Sequence, residues 1–145
     1  LIATLEFSFD VWDKASTNQL EDAVEYGNIA LAKTEQYVRE VCKNVYFRDI
    51  IKWEGETYPI RHEWLNIPVV NIAQPDCSEV TNKLCKLYSE SPFSLWWMKR
   101  ADGMYQYGMR SIGDFDVSQV AKLFGGGGHK NAAGFQLNYL LEELK

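Results

Sequence analysis

The stretch on which the interpretation of this chain depends is FGGGGHKNAAGFQL, residues 124–137. It contains four consecutive glycines, Gly125–Gly128, between Phe124 and His129. Because glycine has no Cβ, consecutive glycines can turn several backbone N–H groups toward one point, and such a concavity attracts anions. His129 adds a hydrogen-bond donor and Lys130 a positive charge. The stretch predicts a phosphate-binding loop, with a structural turn between packed elements as the alternative.

Length and charge narrow the class of protein. A chain of 145 residues is expected to bury roughly 70% of the surface of its unfolded form, enough for one globular domain without disulfides. It carries 15 Lys and Arg against 20 Asp and Glu, a net charge of −5. Proteins that hold long duplex nucleic acid by its phosphates usually have a strong basic excess. That class is disfavoured here, whereas a small anion or a single strand end stays compatible.

The cysteines and the hydropathy pattern predict a soluble, cytoplasmic protein. Cys42, Cys77 and Cys85 form no CxxC pair and leave one thiol over if two are bridged, so reduced thiols are expected. No apolar run approaches the roughly 20 residues of a membrane span, and the N-terminus lacks the pattern of a signal peptide, so no membrane partner is expected. The chain begins with Leu1 rather than methionine, which suggests a segment of a longer protein.

A long amphipathic helix is predicted from Ser16 to about Val45. Ser16 and Gln19 form a capping-box pair. Apolar or small residues then recur at alternating spacings of four and three: Leu20, Val24, Gly27, Leu31, Thr34, Val38, Val41 and Val45. Two interpretations stay open, a helix lying on its own domain and a connector that docks another domain or pairs with a second copy as a homodimer. Residues 1–45 are therefore assigned to an N-terminal segment with a linker helix, and 46–145 to a separate domain.

The rest of the chain predicts an α/β fold. YFRDIIKW and TYPIRH flank Glu54-Gly55 as a hairpin, and IPVVNIA is interpreted as a separate buried strand. A helix beginning at Asp76 follows, and then two strands, FSLWWMKR and MYQYGMRS, joined by a two-residue turn at Asp102-Gly103. The sequence predicts a mixed sheet of about five strands flanked by helices and preceded by the long linker helix.

Alternation along MYQYGMRS separates its side chains into two faces. The aromatic face carries Tyr105, Tyr107 and Met109, and the opposite face carries Gln106, Gly108 and Arg110. Farther along, Asp116 with Gln119 predicts the start of a short helix, which Gly125 ends in a left-handed turn. The last residues, AAGFQL and NYLLEELK, predict one more strand and a short terminal helix.

A nine-residue motif links the glycine run to a known family. Residues 126–134, GGGHKNAAG, match the signature Gly-Gly-Gly-His-x-x-Ala-Ala-Gly, and the chain resembles the DHH-associated domain, the C-terminal domain of DHH phosphoesterases. Weaker matches lie upstream: Asp116-Val117-Ser118, Arg110-Ser111, and Ser78-Glu79 with Asn82. The resemblance covers about residues 65–138, and residues 16–45 resemble the helix that links the two domains of this family.

The resemblance implies a phosphoesterase whose chemistry lies in another domain. Similar members include RecJ-like single-strand exonucleases, oligoribonucleases, cyclic dinucleotide phosphodiesterases and pyrophosphatase-like relatives, in which a separate domain binds two manganese ions. The implied partners are the chain's own upstream DHH catalytic domain and nucleic-acid ends, short oligonucleotides or nucleotides. Carried over by motif, the predicted substrate-binding residues are Gly126, Gly127, Gly128 and His129, with Arg110 as a second phosphate contact and Lys130 and Asn131 beside them.

The chain itself lacks the residues for the metal chemistry. It has no Asp-His-His triplet, and His62 and His129 are its only histidines. We therefore expect no catalytic residue and no metal or cofactor in this segment, manganese only in the missing domain, and no hydrolysis by this chain alone. Two alternatives stay open: a non-hydrolytic nucleic-acid-binding module like the C-terminal domain of alanyl-tRNA synthetases, and a cyclic dinucleotide phosphodiesterase domain. Arg110 has its own alternative, an exposed cation at the end of a strand.

Overall fold

The computed structural model describes residues 20–73 and 75–141. The chain divides into two compact units, Leu1–Glu40 and Val41–Lys145. Within the described ranges, no helix is both long enough and apolar enough to cross a lipid bilayer.

Helix α1 spans Leu20–Cys42. The predicted start of this helix, with Ser16 and Gln19, lies outside the described residues. Of the predicted stripe, Gly27 and Val38 are buried, whereas Val24 and Leu31 are exposed. The helix itself is confirmed, and its docking onto another domain or a second copy stays a prediction.

One mixed sheet organises the second unit. Its six strands have the order β1-β2-β3-β4-β6-β5. Only β2 and β3 are parallel, and the other neighbours are antiparallel. The strands are β1 Tyr46–Glu54, β2 Ile60–Asn71, β3 Ser94–Lys99, β4 Tyr105–Arg110, β5 Gly127–His129 and β6 Ala132–Leu137. Two helices complete this unit: α2 Cys77–Leu87, which connects the parallel strands β2 and β3, and α3 Val117–Leu123. The α/β prediction is confirmed, with one strand more than expected.

The predicted pairing of the first hairpin is confirmed, but its second strand is longer than predicted. Residues 60–71 form one continuous strand, although the sequence suggested two. The pairing of β1 with β2 shifts register between Arg48 and Ile50, and Asn66 adopts a positive φ of 54° with its N–H donating to the Asp49 carboxylate at 2.8 Å. This β-bulge interrupts the alternation of side chains, which is why one strand looked like two in the sequence.

The turn between β3 and β4 also differs in detail. The Arg100 N–H donates to the Met104 carbonyl at 2.8 Å, so the ladder continues past Lys99 and leaves a loop of three residues rather than two. Gly103 alone in this loop has a positive φ, 85°. A three-residue loop with glycine in the left-handed position is the next most common hairpin connection after the two-residue loop.

The two faces of the sheet carry different helices. Tyr107 and Met109 point to the core, where they pack with Phe135 and with the buried side of α3. Helix α2 lies on the opposite face, where the Cys85 thiol donates to the Arg110 carbonyl at 3.1 Å and Ser94 Oγ donates to the Thr81 carbonyl at 2.7 Å. The predicted division of β4 into an aromatic face and an Arg110 face is confirmed.

Candidate functional site

The glycine run begins as the end of helix α3. The Gly125 N–H donates to the Lys122 carbonyl at 3.0 Å, and the Gly126 N–H donates to the Ala121 carbonyl at 2.8 Å. Gly125 has a φ of 77°. These two bonds and the left-handed residue are the Schellman arrangement that satisfies the last carbonyls of a helix. Two of the four glycine amides are therefore used to end the helix.

The remaining glycines form a strand rather than a free loop. Gly127–His129 is strand β5, at the edge of the sheet and antiparallel to β6. The sequence predicted a loop here because glycines have no side chains, so the period of two that marks a strand was absent. In an antiparallel edge strand, alternate residues turn their N–H groups away from the neighbour. The exposed edge of β5 is thus a source of amide donors.

Two positions in the run require glycine for steric reasons. A Cβ on Gly126 would overlap the Gly134 carbonyl oxygen, and a Cβ on Gly128 would lie 2.5 Å from the Ala132 carbonyl oxygen. Gly128 also has a φ of 146°, which side chains rarely tolerate. Gly127 is different, because a Cβ there would meet nothing within 4 Å.

Arg110 and His129 share one row and one face of the sheet. Arg110 is the cross-strand partner of Ala132 in β6, and Ala132 is the partner of His129 in β5. Directly opposed residues in antiparallel strands project to the same side. Neighbouring strands lie about 4.8 Å apart, so the Arg110 and His129 backbones are separated by roughly 10 Å. The small side chain of Ala132 leaves the space between them open.

An open groove lies beside this row. It has a volume of about 300 Å³ and is lined by residues of β4, β5 and β6 together with Trp96 of β3 and the first residues of α2. Three glycines, Gly108, Gly134 and Gly127, are cross-strand partners in consecutive strands and line the groove. Because Gly127 has no side chain and a Cβ there would meet nothing within 4 Å, a ligand can approach the backbone closely at that end of the row. Trp96 covers the Gly108 end of this glycine row.

The groove is electropositive at one end. Arg110 lines it, and the Arg110 guanidinium donates from Nη2 to Ser78 Oγ at 2.7 Å. Cys77 and Ser78, also in the lining, are the first residues of α2. The first N–H groups of a helix have no acceptor within the helix and carry a partial positive charge. A guanidinium, a hydroxyl and a helix N-terminus thus converge where an anion would be stabilised.

The predicted site residues divide into three groups. Gly126 and Gly128 pack closely against the backbone of β6. Gly127 and Arg110 line the groove, and His129 is exposed in the Arg110 row. Lys130 and Asn131 instead hold the turn between β5 and β6 in place. Lys130 Nζ contacts the Asp114 carboxylate at 2.9 Å, and the Asn131 amide donates to Ser111 Oγ at 3.0 Å and to the Gly113 carbonyl at 3.1 Å.

Further contacts hold the turn between β5 and β6 against the start of α3. The hydrogen bond from Lys130 lowers the pKa of the Asp114 carboxyl. The Lys130 carbonyl accepts the Val117 N–H at 2.8 Å, at the start of α3. Asp116 caps the same helix by accepting the Ser118 N–H at 2.9 Å. The turn after His129 is therefore fixed to the N-terminus of α3.

Burial disfavours two other kinds of chemistry near the groove, base stacking on aromatic rings and nucleophilic attack by a thiol. Trp96 and Tyr107 are 6% and 2% exposed, so neither ring offers a face for base stacking. Burial raises the pKa of the Cys77 and Cys85 thiols, which disfavours the reactive thiolate. No group of three or more His, Cys, Asp or Glu side chains suited to a metal ion occurs in residues 20–73 and 75–141. The described residues thus do not fit a manganese centre.

The groove residues to which the sequence analysis assigned no binding role include Gln106 and Gly108. Both line the groove on the same strand as Arg110. The alternation of β4 had already placed them on the Arg110 face, so that signal was present. Their contribution could not be recognised because the pairing of β4 with β6 joins segments distant in the sequence.

Comparison with protein families matches this chain to a known one. The sequence model of the DHHA1 domain family matches residues 67–145, more than half of the chain. An uncharacterized protein, R106, from Acanthamoeba polyphaga mimivirus is 29% identical over 140 residues, which is 89% of this chain and 29% of that protein. The chain thus spans less than a third of this relative.

Solved structures also match parts of this chain, and each of the following matches covers part of a larger protein. An exopolyphosphatase-related protein from Bacteroides fragilis has a TM-score of 0.45 at 23% identity, over 52% of this chain and 25% of the other. A pGpG-specific phosphodiesterase, PggH, from Vibrio cholerae has a TM-score of 0.44 at 13% identity, over 73% and 34%. An uncharacterized protein from Helicobacter pylori G27 gives 0.42 at 19% identity, over 79% and 28%. On the match over residues 67–145, which include the glycine-histidine motif, the chain belongs to the DHHA1 domain family.

Proposed function

We propose that this domain binds the phosphate-bearing end of a short oligonucleotide or of a single strand and presents it to a DHH-type phosphoesterase domain. The observation that carries the proposal is the groove in which Arg110, Ser78 and the glycine row meet. Membership of the DHHA1 domain family supports the association with DHH phosphoesterases.

The energetics of the groove favour a phosphate. A hydrogen bond to a charged group contributes about 1.5–3 kcal/mol, and Arg110 can offer two parallel donors to two phosphate oxygens. The Ser78 hydroxyl already fixes one guanidinium nitrogen, so less side-chain entropy is lost when the phosphate binds. His129, exposed at the other end of the row, adds a donor from the edge strand.

Catalysis belongs to a separate domain in this proposal. The described residues offer no donor set for manganese, so the metal chemistry would come from an upstream DHH domain. The three cysteines are free thiols, which fits the cytoplasmic location proposed for this protein.

Calorimetric titration tests the proposal directly. The chain is titrated with a 5′-phosphorylated dinucleotide and with the same dinucleotide lacking the phosphate, and we expect only the first to bind appreciably. His129→Ala should weaken that binding about tenfold, the loss of one charge-assisted hydrogen bond, without lowering the melting temperature. His62→Ala is the matched control, because His62 contacts Glu54 within the β1–β2 hairpin and does not lie in the row of Arg110 and His129.

Three results would overturn the proposal. Equal affinity for the two dinucleotides would show that the phosphate is not recognised. Robust hydrolysis of the dinucleotide by this chain with added manganese would show that the chemistry lies within it. Preferential binding of a hairpin RNA over the phosphorylated dinucleotide would favour a nucleic-acid-binding module of the alanyl-tRNA synthetase type instead.

A further inference from the structure

The end of the groove away from Arg110 carries amide side chains. Gln106 lies on β4, on the same face as Arg110, and its cross-strand partner in β6 is Gln136. Gln106 lines the groove and is half-buried. Neither glutamine side chain has a hydrogen-bond partner among the residues that the structure describes. The two neutral amides therefore project from the same face of the sheet as the Arg110 cation, and Gln106 lines the groove.

The two ends of the groove differ in charge. Among the described residues that line it, Arg110 is the only charged one. Gln106 is four residues from Arg110 in the same strand, which places the two backbones about 13 Å apart. The glycine row lies between them. The arrangement, in order, is a cation, a backbone floor that Trp96 covers at Gly108 and that is open at Gly127, and a neutral hydrogen-bonding pair.

This arrangement distinguishes two classes of phosphate ester. An inorganic polyphosphate carries negative charge along its whole length and requires a series of cations, each compensating one phosphate. A nucleotide carries its charge at one end and a base with both donors and acceptors at the other. A glutamine amide also has both donors and acceptors, so it complements a base edge and does not compensate a phosphate charge.

We propose that the groove takes one nucleotide, with its phosphate at Arg110, its sugar over the glycine row and its base edge at Gln106 and Gln136. This inference rests on the proposed phosphate-binding function and narrows its substrate class. The site selects phosphorylated nucleotide ends and rejects inorganic polyphosphate.

Three ligands test the inference with the wild-type chain. They are the 5′-phosphorylated dinucleotide, the same molecule with its 5′ base replaced by hydrogen, and inorganic tripolyphosphate. We expect the abasic analogue to bind about tenfold more weakly than the dinucleotide, the loss of one or two neutral hydrogen bonds. Tripolyphosphate should bind more weakly still. Tripolyphosphate that binds as tightly as the dinucleotide overturns the selection.

The Gln106→Leu variant separates a base contact from a structural effect. It should lower the affinity for the dinucleotide about tenfold and leave the affinity for the abasic analogue unchanged. Gln36→Leu is the control, since Gln36 is exposed on α1 and should change neither affinity. An equal loss for both ligands, or no loss for either, overturns the base contact.

Failure of this inference is distinguishable from failure of the phosphate proposal. If the dinucleotide binds only when phosphorylated but Gln106→Leu has no effect, the phosphate site stands and the base contact is wrong. If phosphorylation does not matter, the phosphate site itself is wrong.

Discussion

Arg110 and His129 lie on the same face of the sheet, each directly opposite Ala132 of the strand between them. Neither the spacing of the two residues in the sequence nor the character of their neighbours indicates this relationship. It arises because β6 is inserted between β4 and the glycine strand β5. The cationic end of the groove is therefore assembled by the strand order.

Removal of the Arg110 charge should weaken phosphate binding strongly. Arg110→Gln should lower the affinity for a 5′-phosphorylated dinucleotide about 10- to 100-fold, which corresponds to the roughly 1.5–3 kcal/mol of a charge-assisted hydrogen bond. Calorimetric titration measures the change. Arg61→Gln is the matched control, because Arg61 pairs with Glu63 on the exposed hairpin and should bind the ligand normally. Unchanged affinity of Arg110→Gln would exclude this residue from the site.

The glycines should separate into those required for folding and one required for binding. Gly127→Ala should fold with an unchanged melting temperature, since its Cβ meets no atom within 4 Å, yet the methyl group enters the groove and should reduce dinucleotide affinity. Gly128→Ala should destabilise the chain by at least about 1–3 kcal/mol, because its Cβ lies 2.5 Å from the Ala132 carbonyl oxygen. Urea unfolding and titration measure the two effects. A Gly127→Ala variant that binds normally would argue against a ligand over the glycine row.

Asn131 and Lys130 should differ in their contribution to stability. Asn131→Ala removes two side-chain hydrogen bonds, to Ser111 and Gly113, and should lower the free energy of unfolding by about 1–2 kcal/mol. Lys130→Ala removes an ion pair whose partner, Asp114, is fully solvent-exposed, so stability should change little. Denaturant unfolding of the two variants tests this difference. A large loss of dinucleotide affinity in Lys130→Ala, without a loss of stability, would instead place Lys130 on the substrate.

The cap of α3 should make stability depend on pH in the acidic range. The hydrogen bond from the Ser118 side chain lowers the pKa of Asp116 below its ordinary value of 3.8. A lowered folded-state pKa stabilises the protein above the unfolded-state pKa, and this contribution is lost as the pH falls through the folded-state pKa. Asp116→Ala should therefore melt a few degrees lower than wild type at pH 7. The difference in melting temperature between the variant and the wild type should shrink below about pH 4. A difference in melting temperature that stays constant down to pH 2 would exclude ionisation of Asp116 as its source.

Local signals in the sequence were sufficient to predict most of the helices and strands. The Asp116 cap of α3, the end of this helix at Gly125 and the two faces of β4 follow from capping chemistry and periodicity, and all three are confirmed. The bulge at Asn66 was not predictable, because a shift of register depends on the partner strand. Strand β5 was missed because glycines display no alternation of side chains.

The sequence by itself determined the family through the glycine-histidine motif, and it determined which residues carry charge and which are bare backbone. Tertiary structure decided what those residues form. Gly125 and Gly126 end a helix, whereas Gly127 forms part of the floor of the groove. The same groove brings together Arg110, Ser78 and Gln106. The physical reason is that a motif records local backbone requirements, such as a positive φ or a close approach. A groove exists only where strand order and helix placement bring distant segments into contact, and no local pattern encodes that order.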